Sequence, residues 1–146
     1  MTLAPCSAAM AFESRIKVRF GDEDHAQIVY YPRFFHFFHC AFEDFFDEQG
    51  YRYRDCLDVD RVGWPAVHAE ADFRRPVRFG EVITVALTIA EIGDKSATFD
   101  YVVTRDDGDT ACTGRVVVAC ISMDDYRGRS IPDEYRALFE RHLVAS

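Results

Sequence analysis

An α+β domain, in which an antiparallel sheet wraps around one long helix, is the fold class that this sequence predicts. Residues 32–49 repeat apolar side chains at the helical period and carry seven of the thirteen phenylalanines. Four later segments have the patterns of strands and are separated by turn residues. A helix and a sheet with this much apolar surface bury each other, and 146 residues suit one domain.

The first strand and the long helix are separated by a polar loop. Ser14 to Phe20 alternates polar and apolar residues, and Gly21 ends that pattern. The helix is predicted from Pro32 to Gln49, because proline suits the first helical position and a glycine follows directly after the end. Its apolar face is formed by Phe34, Phe38, Ala41, Phe42 and Phe45, and it is widened by Phe35, Phe37 and Phe46. A stripe this wide predicts a helix enclosed by other structure.

Four meandering strands and a short C-terminal helix follow. The predicted strands cover residues 66–75, 82–92, 97–105 and 110–123, which with the first strand make a five-stranded antiparallel sheet. Residues 51–62 are predicted as a loop or a short extra turn, and the last helix opens at Ile131. Residues 1–13 are predicted as a flexible N-terminal tail, and residues 14–146 as the folded domain.

Charge and composition narrow the classes of function. A net charge of −8 and a pI near 5.0 disfavour a nucleic-acid partner, because binding phosphates requires clustered cations. No apolar run approaches the roughly 20 residues of a membrane span, so no membrane partner is expected. The five cysteines contain no CxxC pair and match neither a disulfide framework nor a zinc site. They favour a reducing, cytoplasmic compartment.

An acidic loop, Gly21-Asp22-Glu23-Asp24-His25, lies just before the long helix. A solvated surface loop is one interpretation, whereas a calcium loop lacks the necessary spacing of oxygen ligands. The other interpretation is an acyl-transfer site. The start of a helix near Tyr31 offers free N–H groups and the positive end of the helix dipole, which together stabilise an oxyanion. A nearby carboxylate could then attack a carbonyl carbon or activate water.

The segment from Val18 to Phe34 resembles the opening motif of the hydroxybenzoyl-CoA thioesterase family, F-x-D-x-D-x-x-G-[IV]-V-[YWF]-[YF]-x-x-[YF]. A second stretch, His68 to Glu81, is similar to the family's D-F-x-x-P-x-x-x-G-[DE] strand ending. The resemblance covers residues 14–143 and implies a hotdog fold that hydrolyses acyl-CoA thioesters. It also implies a homo-oligomer, at least a dimer and often a tetramer, with active sites at subunit interfaces.

The resemblance implies roles for individual residues. Asp24 occupies the position of the catalytic acid, as a nucleophile or a general base, and the backbone N–H of Tyr31 would hold the thioester oxygen. No metal or organic cofactor is implied, since coenzyme A is part of the substrate. Gln27 departs from the pattern, which has glycine there, and either reshapes the turn or contacts the substrate.

Further residues are predicted to bind the two parts of the substrate. The predicted acyl-binding residues are Gln27, Tyr30, Phe34, Trp64 and His68, whose aromatic members suit a flat, benzoyl-type group. The predicted CoA-binding residues are Arg74, Arg75, Arg78, Lys95 and Ser96, of which Lys95 and Ser96 lie where the family meets CoA.

Three alternatives remain open at the level of sequence. Asp22 could replace Asp24 as the reactive acid, although a residue directly after glycine more often bonds within a turn. The chain could bind acyl-CoA without turnover, which is the alternative function. A hotdog hydratase would use a histidine such as His36 or His39, but its characteristic motif is absent from the sequence.

Overall fold

The computed structural model describes residues 11–144. In chain order the elements are β1 (Phe12–Lys17), a single 3-10 turn (Phe20–Asp22), α1 (Arg33–Glu48), α2 (Tyr53–Asp58), β2 (Val62–Gly63), β3 (Ala66–Phe73), β4 (Val82–Ile92), β5 (Ser96–Thr104), β6 (Thr110–Ala119), β7 (Ile121–Ser122) and α3 (Asp133–Glu140). The predicted long helix and the predicted β-meander are therefore both present.

The main sheet of the described chain has five strands in the order β1-β4-β5-β6-β3. Every neighbouring pair is antiparallel, and Tyr101 of β5 lies opposite Gly114 of β6. β2 and β7 form a separate two-stranded ribbon. This topology confirms the predicted α+β hotdog architecture, with α1 packed against β1 and β4.

The aromatic face of α1 forms the core. Its buried residues are Phe34, Phe37, Phe38, Ala41, Phe42, Phe45 and Phe46. Fully burying one phenylalanine side chain stabilises a fold by roughly 1.5–3 kcal/mol, so this face supplies a large share of the folding free energy. Phe38 stacks on Tyr101 with ring centroids 4.7 Å apart. α3 closes the other side, where Phe139 packs edge-on against Phe99.

Some element boundaries differ from the prediction. β1 begins at Phe12 and ends at Lys17, so residues 12 and 13 of the predicted tail lie in the sheet and residues 1–10 lie outside the described residues. Phe20 belongs to the 3-10 turn, because the Asp22 carboxylate accepts the N–H of Arg19 and turns the chain away from the sheet. The predicted last strand divides at Cys120, after which Ile121 pairs with β2.

The described cysteines are free, and three of them, Cys56, Cys112 and Cys120, are buried. Burial raises the pKa of the Cys112 thiol to about 12 and that of Cys120 to about 11. Both thiols are therefore protonated and unreactive at neutral pH. Cys6 lies outside the described residues. None of the helices found in residues 11–144 is long and apolar enough to span a bilayer.

β3 is the exposed edge of the main sheet. Seven of its eight residues are solvent-exposed, and only Ala71 is partly covered. Val67 and Phe73 are large apolar residues on this strand that are 64% and 48% exposed. An open, apolar edge strand is a site for pairing with another chain unless something covers it.

Candidate active site

The loop that carries Asp24 is a short hairpin. The N–H of Asp24 donates to the carbonyl of Ile28 at 3.0 Å, and the N–H of Gln27 donates to the carbonyl of Asp24 at 3.0 Å. Gln27 has a φ of +67°. This is the pattern of a three-residue hairpin loop, a turn followed by one left-handed residue, and that residue is usually glycine.

The Asp24 carboxylate lies beside the start of α1. Its Oδ1 accepts the N–H of Ala26 at 2.8 Å, and this bond fixes the orientation of the side chain. The residue lines a cleft of about 500 Å³ with Tyr30, Pro32 and His36. It also lines a second cleft of about 650 Å³, which includes Gln27 and Arg78. The carboxylate is thus solvent-accessible and adjoins two clefts.

One backbone donor remains available at the start of α1. The N–H groups of Arg33, Phe34 and Phe35 donate to the carbonyls of Tyr30, Tyr31 and Pro32, and the N–H of Tyr30 donates to Asp22. Pro32 has no N–H. Within residues 11–144, the N–H of Tyr31 has no acceptor. It is therefore a free donor at the positive end of the helix dipole.

Asp22 holds the start of the helix in place. Its side chain is 7% exposed, and Oδ1 accepts bonds from Arg33 Nε at 3.1 Å and Nη2 at 2.7 Å. Its Oδ2 accepts the N–H of Arg19 at 2.8 Å. Both oxygens are already bonded, so the geometry favours Asp24 over Asp22 as the acid that meets a substrate.

An aromatic patch surrounds this helix start. Tyr30 and Tyr31 are exposed, and the Tyr31 ring lies 5.8 Å from that of Phe73 on β3. Phe34 is buried and packs against Phe73 with centroids 5.6 Å apart. Of the predicted acyl-binding residues, Gln27 and Tyr30 therefore line the Asp24 clefts, whereas Phe34 lies beneath them in the core.

A separate apolar cavity of about 520 Å³ lies between α1, α2, β3 and β6. Its lining includes Phe35, Phe38, His39, Phe42, Tyr53, Trp64, Ala66, Ala69, Tyr101 and Val116. Trp64, a predicted acyl-binding residue, contributes its ring, while its indole Nε1 is buried without a partner among the described residues. Asp24 of the same chain does not line this cavity.

Sequence reasoning missed this cavity. A signal was present in the spacing of Phe35, His39 and Phe42, which places them on one side of α1 at i, i+4 and i+7. Together with Ala66 and Ala69 of β3, the exposed edge strand, these residues line the cavity. His39 stacks on Phe42 at the cavity, and its Nε2 lies 2.7 Å from Glu43.

The structure does not bring His68 to Asp24. His68 Nε2 lies 2.8 Å from Glu70, and Glu70 lines a groove with Asp100 and Arg115. Because strand residues alternate between faces, His68 and Glu70 lie on the side of β3 opposite to Ala69, which faces the apolar cavity. His68 therefore lies on the outer face of the sheet.

The predicted CoA-binding residues fall into two groups. Arg78 lines the 650 Å³ Asp24 cleft, and Arg74 and Arg75 directly follow β3, with Arg75 Nε 3.9 Å from Asp109. Lys95 and Ser96 lie at the β4–β5 turn, where the N–H of Gly93 donates to the carbonyl of Ser96 at 2.7 Å. That turn is about 35 Å from the Asp24 loop, since the eleven residues of β4 separate the two.

Comparison with known proteins identifies the family. The Thioesterase-like superfamily profile matches residues 18–139. A 1,4-dihydroxy-2-naphthoyl-CoA hydrolase from Nostoc punctiforme is 30% identical over 132 residues, which are 86% of this chain and 84% of that protein.

Solved structures agree with this assignment. A thioesterase superfamily protein from Jannaschia sp. CCS1 is 30% identical, with a TM-score of 0.87 over 99% of both chains. A gentisyl-coenzyme A thioesterase is 26% identical, with a TM-score of 0.79 over 86% of this chain and 99% of that one. The chain belongs to the thioesterase-like superfamily, and it is a hotdog-fold thioester hydrolase.

Proposed function

We propose that this protein hydrolyses an aromatic acyl-CoA thioester to the free acid and coenzyme A, with Asp24 as the essential carboxylate. The observation that carries the proposal is that Asp24 lines a cleft with Tyr30 and Pro32, the two neighbours of Tyr31, whose unbonded N–H lies at the start of a buried helix. Relatives named for 1,4-dihydroxy-2-naphthoyl-CoA and gentisyl-CoA substrates support an aromatic acyl group.

The chemistry needs only these two groups and water. The N–H of Tyr31 would stabilise the negative charge that develops on the thioester oxygen. Asp24 would either attack the carbonyl carbon, forming an anhydride that water then cleaves, or take a proton from water as it attacks. In both routes the C–S bond breaks, the acyl group gains the oxygen of water, and the CoA sulfur leaves as a thiolate that is then protonated.

A two-fold dimer would complete the site. If β3 pairs with the same strand of a second copy about its midpoint, between Ala69 and Glu70, the partner's Phe73 lies opposite Ala66. The Tyr31 end of the partner's α1 would then adjoin the apolar cavity, which Ala66 helps to line. The exposure of β3, Tyr30 and Tyr31 in the single chain supports this pairing.

The same pairing would unite the two groups of CoA-binding residues. It would bring the β4–β5 turn, with Lys95 and Ser96, towards the partner's Arg74 and Arg75. Cationic side chains gathered there suit the phosphates of coenzyme A. The proposed assembly is a homodimer or, by pairing of two dimers, a homotetramer. The proposal includes a cytoplasmic location and no metal or organic cofactor.

Substitution of Asp24 by asparagine tests the proposal. Asparagine keeps an oxygen that can accept the Ala26 N–H, so the loop is retained while the charge and basicity are lost. We expect the turnover of benzoyl-, hydroxybenzoyl- and hydroxynaphthoyl-CoA to fall by about 100-fold or more, measured by released thiol. Wild-type turnover in this variant on a good substrate would refute the role of Asp24.

Asp107 offers a matched control. Its Oδ1 accepts the N–H of Asp109 at 2.9 Å, so it forms the same local turn at the β5–β6 hairpin, and it lines neither of the Asp24 clefts. Asp107→Asn should therefore keep wild-type turnover.

The glutamine at position 27, where the family motif has glycine, is the feature that favours the alternative, a module that binds acyl-CoA without turnover. Because Gln27 itself adopts the left-handed conformation, the hairpin keeps the geometry that a glycine would give it. Tight binding of every ester in the panel with no released thiol would favour this alternative.

A further inference from the structure

Tyr101 is a buried residue whose hydroxyl group has no role in the packing. The residue lies on β5 between Leu87 of β4 and Gly114 of β6, and it is 2% exposed. Its ring stacks nearly parallel on Phe38, at 4.7 Å and 11°. A phenylalanine ring would make the same stack, so packing explains the ring and leaves the hydroxyl unexplained.

The hydroxyl of Tyr101 has no hydrogen-bond partner in the described part of the chain. Its oxygen is not sealed in by the surrounding side chains and reaches the cavity that the residue lines, so the group is available to a ligand. Burial also raises the pKa of the phenol above its ordinary value, which keeps the group a neutral donor at physiological pH. Tyr135 shows the usual arrangement in the same core, since its hydroxyl donates to Asp60 at 2.5 Å.

Tyr101 lines the apolar cavity together with Phe35, Phe38, Ala69 and Val116. These neighbours offer no side-chain acceptor for its hydroxyl. A cavity of about 520 Å³ with aromatic walls and few polar groups has the character of a small-molecule site, in which the few polar groups set specificity. The Tyr101 hydroxyl is therefore a donor whose hydrogen bond an oxygen atom of a bound ligand can accept.

We infer that the apolar cavity holds the ring of the acyl group, and that Tyr101 is a specificity residue that hydrogen-bonds an oxygen substituent on that ring. The inference rests on the proposed function and adds the residue that would distinguish a hydroxylated aryl thioester from an unsubstituted one. His39, held by Glu43 on the same cavity wall, is a second polar group that such a ring could meet.

Tyr101→Phe tests the inference against benzoyl-CoA and its three monohydroxy isomers. The wild-type protein should prefer at least one hydroxylated isomer over benzoyl-CoA. In the variant, kcat/KM for that isomer should fall by about tenfold to a hundredfold, because a hydrogen bond made to the ring oxygen is lost. The kcat/KM for benzoyl-CoA should change by less than about twofold, since that ester makes no such bond.

Thermal unfolding separates this role from a structural one. Because the Tyr101 hydroxyl makes no bond within the described chain, Tyr101→Phe should keep or raise Tm. Tyr135→Phe is the matched control and should lower Tm, since it removes the bond to Asp60. A loss of Tm in Tyr101→Phe as large as in Tyr135→Phe would overturn the inference.

A binding measurement keeps the test independent of turnover. Trp64 is the only tryptophan of the chain and lies in the cavity wall, so its fluorescence reports occupancy. Hydroxybenzoate should quench it more strongly than benzoate in the wild type, and equally in Tyr101→Phe. If all esters are hydrolysed but selectivity and quenching are unchanged by the substitution, the inference is wrong and the proposed function stands. If no ester is hydrolysed but the quenching difference appears, the proposed function fails and the inference about the cavity stands.

Discussion

Gln27 carries backbone strain in the loop that positions Asp24. Its φ of +67° lies in the left-handed region, which costs a residue with a Cβ roughly 1–2 kcal/mol. Gln27→Gly removes this cost, and we expect the free energy of unfolding to rise by about 1 kcal/mol and Tm by roughly 3 °C. Calorimetry on purified protein measures both values.

Gln27→Ala is the control for that substitution. Alanine also removes the amide side chain but keeps the Cβ and therefore the strain. An equal gain in Gln27→Gly and Gln27→Ala would show that the effect comes from the side chain and not from the backbone conformation.

Single residues differ in how far the sequence could predict them. The position of Asp24 and Tyr31 near the start of one helix could be predicted, because both belong to one short motif that leads into that helix. The position of Tyr101 at the cavity could not be predicted. The surroundings of its hydroxyl group depend on residues of other elements that meet there only in the folded chain. His68 was assigned to the pocket from its motif, but the alternation of β3 turns it to the outer face with Glu70.

At the scale of elements, the close approach of α1 to the sheet depends on Gly114. A Cβ at this position of β6 would overlap the Cε2 and Cζ atoms of Phe38. Phe38 is 1% exposed and stacked on Tyr101, so its ring has little room to move. We expect Gly114→Ala to lower the free energy of unfolding by about 1–3 kcal/mol, measured by urea denaturation.

Gly128 gives the matched control for this overlap. A Cβ there would meet its nearest side-chain atom, Cδ of Lys95, at 3.8 Å, which is an ordinary contact. Gly128→Ala should therefore change stability by less than about 0.5 kcal/mol. If both alanine variants unfold at the same urea concentration as the wild type, Gly114 does not set the distance between helix and sheet.

The type of each main element followed from its periodicity, because α1 and the strands bury one face in a shared core. The boundaries of the elements could be predicted less accurately where a side chain forms a hydrogen bond with the backbone. The 3-10 turn at Phe20 depends on Asp22 accepting the N–H of Arg19. Residues 53–58 were predicted only as a loop or a short turn, but they form the helix α2. Only Cys56 of this helix is buried, so its sequence has no apolar stripe that would predict a helix.

In the whole molecule, the Asp24 carboxylate and the apolar cavity of the same chain lie apart. Asp24 lies by the Tyr31 end of α1, near Phe73, while the lining of the cavity includes Ala66 at the other end of β3. The proposed two-fold pairing of β3 brings one chain's Asp24 to its partner's cavity. Each active site would then need both copies, and mixed dimers can test this directly.

Two variants that are each inactive alone should form an active mixed dimer. Asp24→Asn removes the carboxylate, and Val116→Trp fills the cavity with a larger side chain. A mixed dimer would combine both defects in one site and leave the other site intact. Because one of the two sites in each mixed dimer is intact, purified mixed dimers should have about half of the wild-type thioesterase activity.

The measurement uses two differently tagged chains, purified as mixed dimers and assayed by released thiol. Each parent should be inactive alone and should have the wild-type mass by light scattering, which shows that neither substitution disrupts assembly. If the carboxylate and the cavity of one chain instead served the same site, both sites of a mixed dimer would be defective. Activity in mixed dimers no higher than in the parents would therefore rule out a site shared across β3.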